Sequence, residues 1–188
     1  MRVDICEGWL SGATRCLSPN VNERPAGATI SLLVIHNISL PPGQFGSGCV
    51  QQFFSNQLDC DAHPYFDQLR ELQVSAHLLI ERDGSLTQFA AFTQRAWHAG
   101  ESCFEGRENC NDFSIGIELE GTDSSAYTEA QYIALATATA SLMQAYPALS
   151  VDRIVGHSDI APDRKTDPGA AFDWGRYRQL LQGEQLSL

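Results

Sequence analysis

The chain has 188 residues of ordinary globular composition, a formal net charge of −11 and no apolar run near the ~20 residues of a membrane-spanning helix. That length suits one domain with a core large enough to need no staples. The acidity argues against nucleic acid or an anionic membrane surface as a general partner, and an acidic ligand would need a local basic pocket.

Residues 1–28 are rich in Gly, Pro, Asn and Ser and are expected to form an irregular segment pinned to the body by Trp9 and Leu10. Residues 29–188 then form the main domain. Residues 29–35 are a short apolar, β-branched run that predicts a buried strand, with His36 and Asn37 directly after it. Pro41, Pro42, Gly43, Gly46 and Gly48 exclude regular structure in the next stretch, which beside a candidate ligand suits either a lid or a plain connection. Residues 50–58 have helical spacing, with Phe53, Phe54 and Leu58 toward the core. His63 and Pro64 mark a turn, and residues 66–72 a short helix. Residues 75–81 and 85–91 flank Asp83-Gly84, a pair that favours the tight turn of a hairpin. Residues 96–100 predict a short edge strand, followed by loop to Asp112.

Residues 114–120 alternate strictly. Ile115, Ile117 and Leu119 share one face of a strand; Ser114, Gly116, Glu118 and Glu120 share the other. Residues 128–146 predict an amphipathic helix with Thr128 as N-cap, Ile133, Leu135, Leu142 and Met143 as apolar contacts, and Pro147 as its stop. Residues 153–156 predict a short strand before His157, and residues 173–182 a closing helix capped by Asp173. This order, with its hairpin and without repeat or linker, predicts a single α/β (α+β) domain with a mixed central sheet flanked by helices.

His36, His157 and Asp167 stand out chemically. Two imidazoles and a carboxylate make a borderline-soft ligand set suited to Zn2+, and three protein ligands leave the fourth tetrahedral position for water. Each residue also has a plainer reading. A histidine at a strand end is commonly a hydrogen-bonded core group, and His63 and His77 belong there. Glu118 alone is a solvated carboxylate on an edge strand, Asp167 a turn former, and Lys165 a surface charge. His98 either touches substrate or packs. Chemistry connects these residues: zinc lowers the pKa of bound water toward ~7 and polarises a carbonyl. A neighbouring carboxylate such as Glu118 can take the water's proton and hand it to a leaving amine. A cation two residues before a ligand, as Lys165 is before Asp167, can face the developing oxyanion.

The motifs Val34-Ile35-His36-Asn37, Val74-Ser75-Ala76-His77, Ala96-Trp97-His98-Ala99-Gly100 and Cys110-Asn111-Asp112-Phe113-Ser114-Ile115-Gly116-Ile117-Glu118 carry a family resemblance. The most specific is Gly156-His157-Ser158-Asp159-Ile160-Ala161-Pro162-Asp163-Arg164-Lys165-Thr166-Asp167-Pro168-Gly169. Together they resemble the type 2 N-acetylmuramoyl-L-alanine amidases, relatives of peptidoglycan recognition proteins, and among them the cytosolic 1,6-anhydro-N-acetylmuramyl-L-alanine amidases of cell-wall recycling. The resemblance runs from about Gly8 to Tyr177. It implies the same mixed sheet, zinc held by His36, His157 and Asp167, and catalytic roles for Glu118 and Lys165. It also implies cleavage of the amide between the lactyl group of anhydro-muramic acid and L-alanine, and removal of muropeptides that induce β-lactamase in some bacteria. Many relatives have cysteine as third ligand; this chain has Asp167. Substrate contacts carried over are Asn37, Trp97, His98 and Arg107. Where some relatives carry arginine, this chain has Gln73 and Asn109, which leaves peptide recognition open; Arg107 alone also suits a surface salt bridge with Glu105 or Glu108.

The six cysteines contain no CxxC pair, and Met1 to Gly8 lack a basic segment followed by an apolar core. No signal peptide is therefore expected, and the expected compartment is the cytoplasm with reduced thiols. The expected partners are small soluble anhydro-muropeptides, with no nucleic acid, membrane or obligate protein partner. The alternatives are a secreted autolysin-type amidase acting on intact peptidoglycan, and a muropeptide-binding protein without catalysis.

Overall fold

The computed structural model describes residues 4–186. Strands β1 (Ile5–Cys6), β2 (Trp9–Leu10), β3 (Thr14–Arg15) and β4 (Val21–Asn22) lie in the segment expected to be irregular. That expectation missed three pairings: β1 with β2, β3 with the central sheet, and β4 with a strand near the site. The cause is long-range pairing, which two-residue strands cannot announce in sequence. Leu10 is buried in the core as expected, while Trp9 lies beneath the Arg15 guanidinium. Arg24 crosses the domain and donates to the carbonyls of Phe92, Asn111, Asp112 and Ser114.

Then come β5 (Leu32–Ile38), α1 (Cys49–Phe54), a 3-10 helix at Pro64–Leu69, and β6 (Leu78–Ile80) and β7 (Leu86–Gln88), the two arms of the predicted hairpin. Strand β5 starts and ends three residues later than predicted, so His36 sits inside it. Next are β8 (Arg95–Ala96), the small hairpin β9 (Cys103–Phe104) and β10 (Arg107–Glu108) where loop was expected, and β11 (Ser114–Glu120). The last elements are α2 (Glu129–Ala145), β12 (Ile154–Gly156), α3 (His157–Ile160) and α4 (Trp174–Gln185). Both predicted caps are present: Thr128 and Gln131 form a reciprocal capping box, and Asp173 accepts from the Arg176 N–H.

The central sheet has six strands in the order β12-β5-β11-β6-β7-β3. β12, β5, β11 and β6 are mutually parallel, β7 returns antiparallel, and β3 joins β7 in parallel. This is the mixed sheet that the order of elements predicted. Ile115, Ile117 and Leu119 of β11, with Leu33 and Ile35 of β5, pack with residues of α2 and α4, including Leu135, Leu142 and Tyr177. Ile133, expected among these contacts, points outward instead and is exposed.

Strand β11 is not at an edge. It lies between β5 and β6, and all seven of its residues are buried. A central parallel strand is covered on both faces, so the polar side of the alternation carries buried groups. Glu118 pairs in register with His36. The strand pleat puts both side chains on the face away from α2 and α4.

Candidate active site

His36 is presented from inside β5, His157 from the first residue of α3, and Asp167 from the loop that follows α3. Their inner atoms converge. His36 Nδ1 is 3.0 Å from His157 Nδ1 and 2.9 Å from Asp167 Oδ2, and His157 Nδ1 is 3.1 Å from the same Oδ2. Donor atoms on a tetrahedral zinc with bonds of ~2.0–2.2 Å stand roughly 3.3 Å apart, so the cluster is near the right size for one ion. The donor chemistry also fits. His157 Nε2 lies 3.0 Å from the Ala99 carbonyl, which can only accept; the proton is therefore on Nε2 and Nδ1 offers a lone pair.

Burial of His36 lowers its pKa to about 4, so the ring is neutral at pH 7. Burial alone would raise the Asp167 pKa, but the adjacent His157 and His36 rings outweigh it and hold the carboxyl well below the usual range. A neutral His36 and an ionised Asp167 are protonation states that metal binding requires.

Glu118 lies in the same cleft. It is buried, and its Oε2 has no hydrogen-bond partner among the described residues. Burial first, and the Asp167 charge second, push its pKa well above the ordinary carboxyl value; the Lys165 ammonium pulls the other way. An unpartnered carboxyl of raised pKa beside a cluster of donors is the usual mark of a group that exchanges protons. The cleft has a volume of about 680 Å³, within the range of small-molecule sites. Its polar wall includes Asn37, Trp97, His98, Asp123 and Lys165, and its apolar wall includes Leu40, Phe53, Phe54 and Leu69.

The residues carried over as substrate contacts divide. Asn37 lines the cleft and donates to Asp123 Oδ1 at 2.8 Å. Trp97 also lines it, its indole N–H donating to Asn22. His98 lines it too, although both of its ring nitrogens are engaged by the protein. Arg107 does not join them: its guanidinium lies 3.8 Å over the Phe113 ring on the β9–β10 hairpin, outside the cleft lining. Asp123 went unnoticed in the sequence, where Gly121-Thr122-Asp123 looks like any turn. It also accepts from the Thr166 hydroxyl at 2.5 Å, and thereby joins the loop after β11 to the loop bearing Lys165 and Asp167. Gly169 permits this approach. Its φ is +80°, and a Cβ there would fall 2.2 Å from the Asp123 Cα. The loop after β5 is tied down as well: the Gly46 N–H donates to the buried Glu120 carboxylate.

The profile of the N-acetylmuramoyl-L-alanine amidase family (Amidase_2) matches residues 26–170. The chain belongs to this family. The amidase is 56% identical over 178 residues to the 1,6-anhydro-N-acetylmuramyl-L-alanine amidase AmpD of Escherichia coli (strain K12), covering 95% of this chain and 97% of that one. It is 55% identical over 174 residues to the protein of the same name in Haemophilus influenzae (strain ATCC 51907 / DSM 11121 / KW20 / Rd), covering 93% and 95%. The crystal structure of a Se-Met AmpD derivative superposes with a TM-score of 0.92 at 55% identity, covering 94% of this chain and 98% of that one. A more distant neighbour is the amidase AmiD from E. coli, in complex with the substrate anhydro-N-acetylmuramic acid-L-Ala-D-gamma-Glu-L-Lys. Its TM-score is 0.59 at 27% identity, over 95% of this chain and 65% of that one. The enzyme class read from the motifs, amide hydrolysis, and the mixed-sheet amidase fold both stand.

Proposed function

We propose that this amidase is a zinc enzyme that hydrolyses the amide between the lactyl group of 1,6-anhydro-N-acetylmuramic acid and the L-alanine of its stem peptide. The observation that carries the reading is the meeting of His36 Nδ1, His157 Nδ1 and Asp167 Oδ2 within about 3 Å beside the unpartnered carboxyl of Glu118. The substrate class is supported by the relatives' names and by the ligand of the AmiD complex.

In this reading His36, His157 and Asp167 would hold the ion at the wall of the cleft. Bound zinc supplies an acidified water and polarises the scissile carbonyl. Glu118 would accept a proton from the attacking water and return it to the departing alanine amine. Its burial keeps its proton affinity high enough for the first transfer without preventing the second. Lys165 places its ammonium against the carbonyl oxygen as negative charge develops there. Asn37 and Trp97 line the cleft where sugar or stem peptide lies. Residues 29–186 make up the catalytic domain, with residues 4–28 packed on it. The enzyme acts in the cytoplasm on soluble recycled fragments, and no described helix is long and apolar enough to cross a membrane.

The test combines metal analysis with product analysis. The expected result is one zinc per chain, release of the stem peptide from anhydro-muropeptide, loss of activity with chelator and its return with Zn2+. Purified sacculi run in parallel separate the alternatives: preference for sacculi indicates a wall autolysin, and tight binding of muropeptide by zinc-loaded protein without turnover indicates a binding protein.

A further inference from the structure

His98 was left above between two roles, and the structure separates them. Its Nδ1 is 2.9 Å from His36 Nε2, the nitrogen that faces away from the donor cluster. Its Nε2 is 3.0 Å from the Ser114 hydroxyl, at the start of β11. Two polar groups therefore stand in series behind His36: the His98 imidazole and the Ser114 hydroxyl. A neutral imidazole carries one N–H and one lone pair, so the choice at each ring fixes the choice at the next. If His36 is to offer a lone pair at Nδ1, its proton must be on Nε2, and that proton needs an acceptor. His98 Nδ1 is the acceptor in place. His98 then carries its own proton on Nε2, and Ser114 Oγ accepts it.

The seat of this ring is built closely. The His98 N–H and the next N–H both donate to Asn111 Oδ1, at 3.1 and 2.8 Å, which fixes the backbone that carries the ring. The ring lies against Gly116 of β11, where a Cβ would fall 2.4 Å from its Cγ. No residue other than glycine leaves it room. On its other sides it meets His36 edge to face at 5.1 Å and His77 at 5.7 Å. His77 is itself committed: its Nδ1 accepts from the Gly116 N–H, and its Nε2 lies 3.0 Å from the Gln94 carbonyl. His77 therefore offers no competing partner.

We propose that His98, seated on Ser114, is a positioning residue that holds the His36 proton on Nε2 and so keeps the Nδ1 lone pair aimed at the donor cluster. It does for His36 what the Ala99 carbonyl does for His157. Groups that accept the outer N–H of a metal-binding histidine typically contribute 10–100-fold to metal affinity. The inference rests on the metal reading above, and its test reads metal affinity and proton position rather than activity.

The experiment uses the full chain, with Zn2+ affinity measured by competition against a chromophoric chelator. His98→Phe keeps the packing against Gly116 and removes the acceptor; it should weaken Zn2+ binding by about 10–100-fold. His98→Asn restores an oxygen acceptor near the position of Nδ1 and should recover most of that loss. Ser114→Ala keeps His98 and removes its far partner; it should weaken binding by a few-fold. Long-range ¹H–¹⁵N spectra of the zinc-loaded parent should show His36 and His98 both protonated at Nε2, a signature that a purely packing role would not produce. Parent affinity in His98→Phe and Ser114→Ala, or a His36 proton on Nδ1 in the loaded protein, overturns the proposal. A parent chain that binds no Zn2+ overturns the metal reading itself. Should His98→Phe fail to fold, the Ser114→Ala affinity and the parent spectra decide.

Discussion

The two sides of the cleft are built differently. One side is the sheet: His36 and Glu118 are register partners on adjacent parallel strands, both buried, with the chain of His98 and Ser114 behind them. The other side is mainly loop: Asp123 after β11, and Lys165 and Asp167 after α3, tied to one another and to Asn37 of β5 through Asp123 and the close approach of Gly169. On the proposed reading, His36 and Glu118, which would hold an ion and a proton, sit where strand pairing leaves little freedom, while His157 stands at the first residue of α3. The groups proposed to meet charge and substrate sit on segments that tertiary hydrogen bonds hold in place. Asp167 crosses that division, a loop carboxylate docked against two imidazoles of the framework.

This division predicts graded effects. The largest break comes from the cluster: Asp167→Ala should lose zinc and activity together, with activity at background and metal near zero by elemental analysis. If Asp167→Ala keeps stoichiometric zinc, the third ligand lies elsewhere. Glu118→Gln removes a proton acceptor without removing a metal donor. It should retain zinc and fold while kcat falls roughly 10²–10⁴-fold; turnover at the parent rate would assign proton transfer to another group. Lys165→Met, on the loop side, should lower kcat by roughly 10²–10³-fold with zinc content unchanged. A pure rise in KM would move Lys165 from the oxyanion to ground-state binding. The smallest effect is expected at Arg107→Ala. That guanidinium covers Phe113 away from the cleft, so kcat/KM should change by no more than about twofold. A tenfold loss would show that the stem peptide reaches the β9–β10 hairpin.

Local signals in the sequence were read well wherever one element contained the whole signal. The alternation of residues 114–120, the Asp83-Gly84 hairpin, the Thr128 capping box and the Asp173 cap are all present in the fold. Readings failed where the deciding partner lay far along the chain. Strand β5 runs three residues beyond the apolar run because β11 pairs with it as far as Ile38, and this carries His36 from a strand end into a strand. Glu118 reads as a solvated edge carboxylate until β6 covers the second flank of β11. Ile133 fits an apolar stripe, yet the contacts of α2 with the sheet and α4 leave it outside.

The sequence by itself determined the residue types able to bind a metal and move a proton, the family that carries them, and the elements that hold them, because periodicity, caps and motifs are written within a few turns of chain. Only the tertiary structure decided that His36 and His157, separated by 121 residues, meet a single Asp167 oxygen. It alone decided that Glu118 Oε2 is buried without a partner among the described residues, that Arg107 stands outside the cleft, and that His98 and Ser114 lie in line behind His36. The physical reason is that strand order and side-chain burial are settled by hydrogen bonds and packing between distant segments, and no local pattern records which segment will be the neighbour.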